Sequence, residues 1–119
     1  MGLVKVKGHI GIRQDSLREV EFLADTGSFY SFLPPSLAAS LGITFPVTTR
    51  VILADSRITE ALVGVAYLRL MDREGGVLVT SMNVPMPLLG ASALETLGLK
   101  VNPVEETLEH SRPFGPAAL

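Results

Sequence analysis

The sequence predicts an all-β, barrel-like domain with two short helices, and three observations carry that prediction. β-forming runs with alternating or continuous apolar residues recur from Leu3 to Val84 and are divided by polar or glycine-containing turns. Only two stretches, 35–41 and 91–97, have the composition of a helix. Each follows a glycine-containing turn and ends on Leu-Gly-Ile or Leu-Gly-Leu, so one strand-turn-helix pattern occurs twice, from Asp25 to Ile43 and from Leu88 to Leu99. Two copies are too few for a repeat array and point to a duplicated half-barrel.

Taken in order, Leu3 to Ile12 alternates Val4, Val6, Ile10 and Ile12 with polar or small residues and reads as a strand. Arg13-Gln14-Asp15-Ser16 is a hairpin turn, and Arg18 to Leu23 returns with Val20 and Phe22 on one face, delivering Asp25 to the strand's end. Apolar residues resume at Phe29, Phe32 and Leu33. Pro34-Pro35 then opens a helix over Pro35 to Leu41 with Gly42 as its stop. Ile43 to Leu53 reads as a strand with a bend at Pro46, and Ile58 to Leu70 as its long partner, forming a hairpin with its tip near Asp55 to Arg57. A turn over Asp72 to Gly76 leads to a strand over Val77 to Val84, closed by Pro85 and Pro87. Leu88-Leu89-Gly90 then introduces the second helix, Ala91 to Leu97, with Gly98 as its stop. Leu99 to Pro103 and a strand near Glu106 to Glu109 complete one domain over 1–109. The proline-containing stretch 110–119 has no periodicity and is expected to be a flexible tail.

Composition excludes several classes of function. A chain of 119 residues makes one domain. Its 47% apolar and 18% charged content is rich enough in core formers to point to an interface beyond the monomer's own core. A net charge of −2 without a basic patch argues against nucleic acid and anionic membranes as partners. Without cysteine there are no disulfides or thiolate metal sites. His9 and His110 lack a ligand-like spacing and read as surface or edge residues. Met71, Met82 and Met86 read as core or pocket filling. No cofactor is implied. The apolar runs are too short to span a membrane and the N-terminus does not resemble a signal peptide, so the cytoplasm is the default location.

The conspicuous feature is Phe22-Leu23-Ala24-Asp25-Thr26-Gly27-Ser28, an apolar strand that stops on an acid. Carboxylates are costly at the edge of a core unless paired or hydrogen-bonded. Asp25 is either a turn cap, as Asp before Thr-Gly commonly is, or a working acid.

Ala24-Asp25-Thr26-Gly27-Ser28 after an apolar strand, the helix ending Leu41-Gly42-Ile43, the hairpin tipped by Ala54-Asp55-Ser56, and Pro87-Leu88-Leu89-Gly90 before a helix ending Leu97-Gly98-Leu99 occur in that order. This arrangement, over roughly residues 3 to 109, resembles the retropepsin-like (retroviral-type) aspartic proteases, in their cellular prokaryotic branch. The resemblance implies a closed, barrel-like acid-protease fold and a homodimeric endopeptidase that cleaves extended peptide or unfolded-protein substrates. Asp25 would be catalytic, with Thr26 bonding across the two-fold axis, Gly27 permitting the turn, and the Ser28 hydroxyl tuning the carboxyl. Ala54, Asp55, Ser56, Arg57 and Ile58 would form a substrate-binding flap, although Ser56 stands where prokaryotic members often have glycine. Leu88, Leu89 and Gly90 would pack behind the catalytic loop.

Hydrolysis by acid–base chemistry needs one group to take a proton from water and another to give one to the substrate. Two carboxyls facing one water do both, because they cannot both ionise at that separation. Asp15, Asp55 and Asp72 all fall in expected exposed turns, so the partner of Asp25 is expected to be Asp25 of a second copy. The rival expectation is a dimeric peptide-binding or interaction module on the same fold without proteolysis; a non-protease barrel with an incidental Asp-Thr-Gly is a third.

Overall fold

The computed structural model describes residues 4–116. The expected start of the first strand at Leu3 and the last three residues of the expected tail lie outside them. Strands β1 (Lys5–Gly11) and β2 (Leu17–Asp25) form an antiparallel hairpin in register from Lys5↔Leu23 to Gly11↔Leu17. Then come β3 (Ser31–Leu33), α1 (Pro35–Leu41), β4 (Val47–Ile52), β5 (Ile58–Leu70), β6 (Arg73–Ser81), β7 (Leu88–Gly90) and α2 (Ala91–Leu97). A separate two-stranded sheet of β8 (Leu99–Asn102) and β9 (Thr107–His110) follows.

The strand order β1-β2-β7-β3-β6-β5-β4, with β1 also pairing to β5 through Ile10↔Leu68, closes six strands into a barrel. β4 stays outside the ring. It pairs only with the first half of β5, from Val47↔Val63 to Ile52↔Ile58, so the β4–β5 hairpin projects beyond the barrel. Ile10, Phe22, Leu33, Leu68, Leu70, Val79, Leu89 and Leu97 are almost wholly buried and fill the core. Each contributes on the order of 1.5–3 kcal/mol by leaving water.

Neither seven-residue helix has a side-chain cap at its N-terminus, and helices this short do not persist in water unaided. They are held by burial of Ala38 in α1 and of Ala93, Leu94 and Leu97 in α2. Both stop at a glycine in the left-handed region, Gly42 at φ 73° and Gly98 at φ 69°, where any side chain would be strained.

The duplicated pattern is visible as geometry: β2 and β7 run parallel and adjacent, with Leu23↔Leu88, Ala24↔Leu89 and Asp25↔Gly90 opposed.

Four sequence expectations change. The strand expected from Ile43 begins at Val47, because the Ile43 N–H caps α1 on the Ala38 carbonyl at 3.1 Å and its side chain is buried. The turn expected over Asp72 to Gly76 is the tighter Met71-Asp72, with Met71 at φ 54° and half-exposed rather than in the core. β6 starts at once because Arg73 is needed inside. Its guanidinium is buried and donates to the carbonyls of Leu97 at 2.9 Å and Arg112 at 2.8 Å.

The stretch expected to be a loose tail is also engaged. His110 ends β9, and Arg112 donates to the last-turn carbonyls of α2, Glu95 at 2.8 Å and Thr96 at 3.0 Å. Finally, the last strand runs one residue later than expected, because Glu106 takes a turn conformation at φ 56°.

Two polar clusters staple this side of the barrel. The His110 imidazole lies 2.7 Å from Asp72 and, by that hydrogen bond, holds the Asp72 carboxyl below the ordinary carboxylate range. Glu74 accepts from Arg69 and Tyr67, each at 2.8 Å; the first contact does most to lower the Glu74 pKa, and Glu74 in turn raises that of the Tyr67 phenol. One buried side-chain group is left over among the described residues: Thr80 in β6 is fully buried and its Oγ1 has no hydrogen-bond partner there, at a cost on the order of 1–3 kcal/mol.

Candidate active site

Asp25 is the last residue of β2, opposite Gly90 of β7. Its Oδ1 accepts the Gly27 N–H at 3.1 Å and its carbonyl accepts the Ser28 N–H at 3.1 Å, so the carboxyl does cap its own turn. That role uses one oxygen. Oδ2 makes no hydrogen bond among the described residues, and the half-buried side chain lines a groove. Capping and acid chemistry are therefore compatible in this carboxyl.

The loop after Asp25 is bonded to the β7–α2 junction at several points. The Ala91 N–H donates to the Ser28 carbonyl at 2.6 Å, and the Ser92 N–H to the Phe29 carbonyl at 3.0 Å. The buried Ser31 hydroxyl accepts the Gly90 N–H at 3.0 Å. Gly90 is required by close approach, since a Cβ there would lie 2.3 Å from the Tyr30 carbonyl oxygen. Leu88, Leu89 and Gly90 lie beside the end of β2 and behind the Asp25 loop, with Leu89 fully buried. Ser28 differs from expectation. Its hydroxyl donates to the Tyr30 carbonyl at 2.8 Å and not to the Asp25 carboxyl, so it braces the loop.

The groove holds about 780 Å³ and lies between this loop and the projecting hairpin. Asp25, Gly27, Ser28, Phe29, Tyr30 and Phe32 form one wall, Arg50 to Ala54 the other, with Met82 between them. Its charged lining residues are Asp25 and Arg50. Of the expected flap residues only Ala54 lines it; Asp55, Ser56, Arg57 and Ile58 form the tip beyond. Residues 50–53, at the end of β4 and just past it, and the aromatic pair Phe29–Tyr30, edge-to-face at 5.1 Å, are groove residues that the sequence reading does not include in the site. The aromatics immediately after Asp25-Thr26-Gly27-Ser28 were the available signal.

The tip itself is tightly turned. The Leu53 N–H donates to the Arg57 carbonyl at 2.8 Å, the Arg57 N–H to Asp55 Oδ1 at 3.1 Å, and Arg57 Nε pairs with Asp55 Oδ2 at 2.6 Å. Ser56 sits at φ 68°, so a serine holds the left-handed position that favours glycine. Ile52 and Ile58, cross-strand partners, are 76% and 63% exposed, leaving an apolar pair at the tip.

Thr26 does not enter the Asp25 groove. It lines a separate cavity of about 550 Å³ with Leu94, Leu99, Lys100, Val101 and Pro103, and its hydroxyl makes no hydrogen bond among the described residues. No cluster of three metal-ligating side chains occurs among the described residues.

A closed β-barrel that presents one Asp-Thr-Gly loop beneath a projecting β-hairpin, backed by Leu-Leu-Gly and a short helix, defines the retropepsin-like class. The sequence model of the aspartyl protease family matches residues 4–93, and the chain belongs to that family. Its fold is similar to the crystal structure of the retroviral protease-like domain of Ddi1 from Leishmania major. The TM-score is 0.62 at 14% identity, over 100% of this chain and 99% of that one. It is also similar to the solution structure of Simian Foamy Virus (mac) protease, at TM-score 0.56 and 13% identity, over 78% of this chain and 93% of that one. Comparison with curated proteins finds no sequence match.

Proposed function

We propose that the chain is an aspartic endopeptidase that works as a homodimer, hydrolysing peptide bonds in extended substrates with one Asp25 from each subunit. One observation carries the reading: Asp25 presents a free carboxyl oxygen to a groove whose lining contains no second acid. One carboxyl cannot both accept a proton from water and donate one to the substrate. Two Asp25 side chains across a two-fold axis share one proton between them, leaving a base and an acid on one water. Thr26 and the apolar cavity that it lines with Leu94, Leu99 and Val101 supply a surface suited to a second copy. The substrate strand lies between the Asp25 loop and β4, with apolar side chains against Phe29, Phe32, Ile52 and Met82, while the β4–β5 hairpin closes over it.

The test is cleavage of an unfolded protein by the purified chain at mildly acid pH, with inhibition by a statine-type transition-state mimic. Asp25→Asn should abolish cleavage with the dimer intact. A dimer that binds such a protein but cleaves nothing from acid to neutral pH would make the chain a peptide-binding module and overturn the enzyme reading.

A further inference from the structure

Thr80, whose buried hydroxyl has no partner among the described residues, has neighbours that line two grooves. It pairs across the sheet with Phe32 of β3 and Val63 of β5, and cross-strand partners project from one face. Leu78, two residues earlier in β6, shares that face, and Met82 follows just past the strand's end. Phe32 and Met82 line the groove that contains Asp25, Val63 and Leu78 line an adjoining apolar cavity of about 420 Å³, and Tyr30 lines both. Thr80 therefore lies among residues that line two grooves sharing Tyr30, and is itself covered, with Oγ1 unpaired among the described residues. Packing alone does not account for a threonine here, because valine has the same shape without the orphaned oxygen.

We infer that Thr80 is a specificity-determining residue: its hydroxyl bonds a substrate side chain that carries a hydroxyl or a carboxamide. The inference rests on the proposed reading of the groove as a peptide cleft. Access requires one neighbour to turn aside, and Met82, half-buried, unbranched and adaptable, is suited to do so. A neutral side chain fits better than a carboxylate, since one hydroxyl among mostly apolar walls cannot offset the desolvation of a charge. An apolar isostere is rejected because it leaves the hydroxyl orphaned.

The experiment uses a parent peptide cleaved at one bond, with Thr or Val, and Asn or Leu, placed in turn at each position flanking that bond. At one position the wild-type protein should prefer the polar member about tenfold in kcat/KM. Thr80→Val should abolish that preference and raise Tm, and Thr80→Ser should keep the preference. Equal polar-to-apolar ratios in wild type and Thr80→Val at every position overturn the inference. So does a Tm unchanged or lowered by Thr80→Val, which would mean that the hydroxyl is already satisfied within the fold. If the wild-type protein cleaves no peptide, the protease reading fails separately. The same pairs are then scored by equilibrium binding: a polar preference lost in Thr80→Val supports the role of the hydroxyl, and its absence overturns it.

Discussion

The two walls of the groove are built on opposite plans. The Asp25 loop is fastened to the β7–α2 junction by the Gly90, Ala91 and Ser92 amides, with a glycine where no side chain fits. Among the described residues the β4–β5 tip is fastened only to itself, through one exposed ion pair and its own turn hydrogen bonds, with a serine in a left-handed conformation and two isoleucines in solvent. On the proposed reading, position is fixed where the chemistry needs it and left adjustable where a substrate enters. Substitutions on the two walls should therefore have different signatures.

The largest effect should come from Asp25→Asn. The amide oxygen still accepts the Gly27 N–H, so stability should stay within about 1 kcal/mol of wild type, whereas loss of the acid–base group should cut kcat by about 10²–10⁴-fold or more. Thermal unfolding alongside peptide turnover checks both halves. A parallel fall in stability and activity would mean that Asp25 is only a cap.

Next is Gly90→Ala, which forces a methyl group into the Tyr30 carbonyl. It should destabilise the fold by about 1–3 kcal/mol in denaturant titrations and displace the Asp25 loop, so that kcat also falls. Unchanged stability would show that the junction between the two motifs is slack.

On the hairpin tip, Ser56→Gly relieves about 1–2 kcal/mol of left-handed strain and returns some of it as chain entropy, leaving a net change within about 1 kcal/mol. Asp55→Ala removes an exposed pair worth about 0–1 kcal/mol. Both should alter KM more than kcat in steady-state kinetics, the reverse of the Asp25 wall. A large drop in kcat from either would erase the distinction between the walls.

The smallest effect lies far from the groove, at Asp72. Its folded pKa is lowered, chiefly by the His110 hydrogen bond, so its contribution to stability is present above the unfolded carboxylate pKa of about 3.9 and is lost as pH falls through the lower folded value. Asp72→Asn should flatten the acid limb of the stability profile there and lower stability slightly at mildly acid pH, where the wild-type contribution is present, with activity unchanged. An acid limb as steep in Asp72→Asn as in the wild-type protein would contradict the assignment.

Much of the fold was legible because local chemistry and global topology agree. The Gly42 and Gly98 stops, the Pro35 helix start and the alternation of β1 and β2 each act within a few residues, and the Asp25 and Leu88-Leu89-Gly90 motifs proved to be parallel neighbours. What was not legible depends on partners distant in sequence. Asp72-Arg73-Glu74-Gly75-Gly76 has turn composition, yet Arg73 enters the strand to satisfy carbonyls at Leu97 and Arg112. The proline-containing 110–116 stretch is tied down by the same long-range bonds. At the site, Asp25 and its backing were readable from motif context. The Ser28 hydroxyl's choice of Tyr30, the contribution of β4 to the groove, and the orphaned Thr80 follow from the three-dimensional path alone.

The central claim is that the partner of Asp25 is another Asp25, and subunit mixing tests it most directly. Wild-type chain at fixed concentration is allowed to exchange subunits with a tenfold excess of Asp25→Asn chain, and peptide cleavage is followed. If one carboxyl from each subunit is needed, almost every wild-type chain is trapped in a mixed dimer, and activity should fall about tenfold. Activity that stays at the level of the unmixed enzyme would mean that each Asp25 works without the other and would contradict the account.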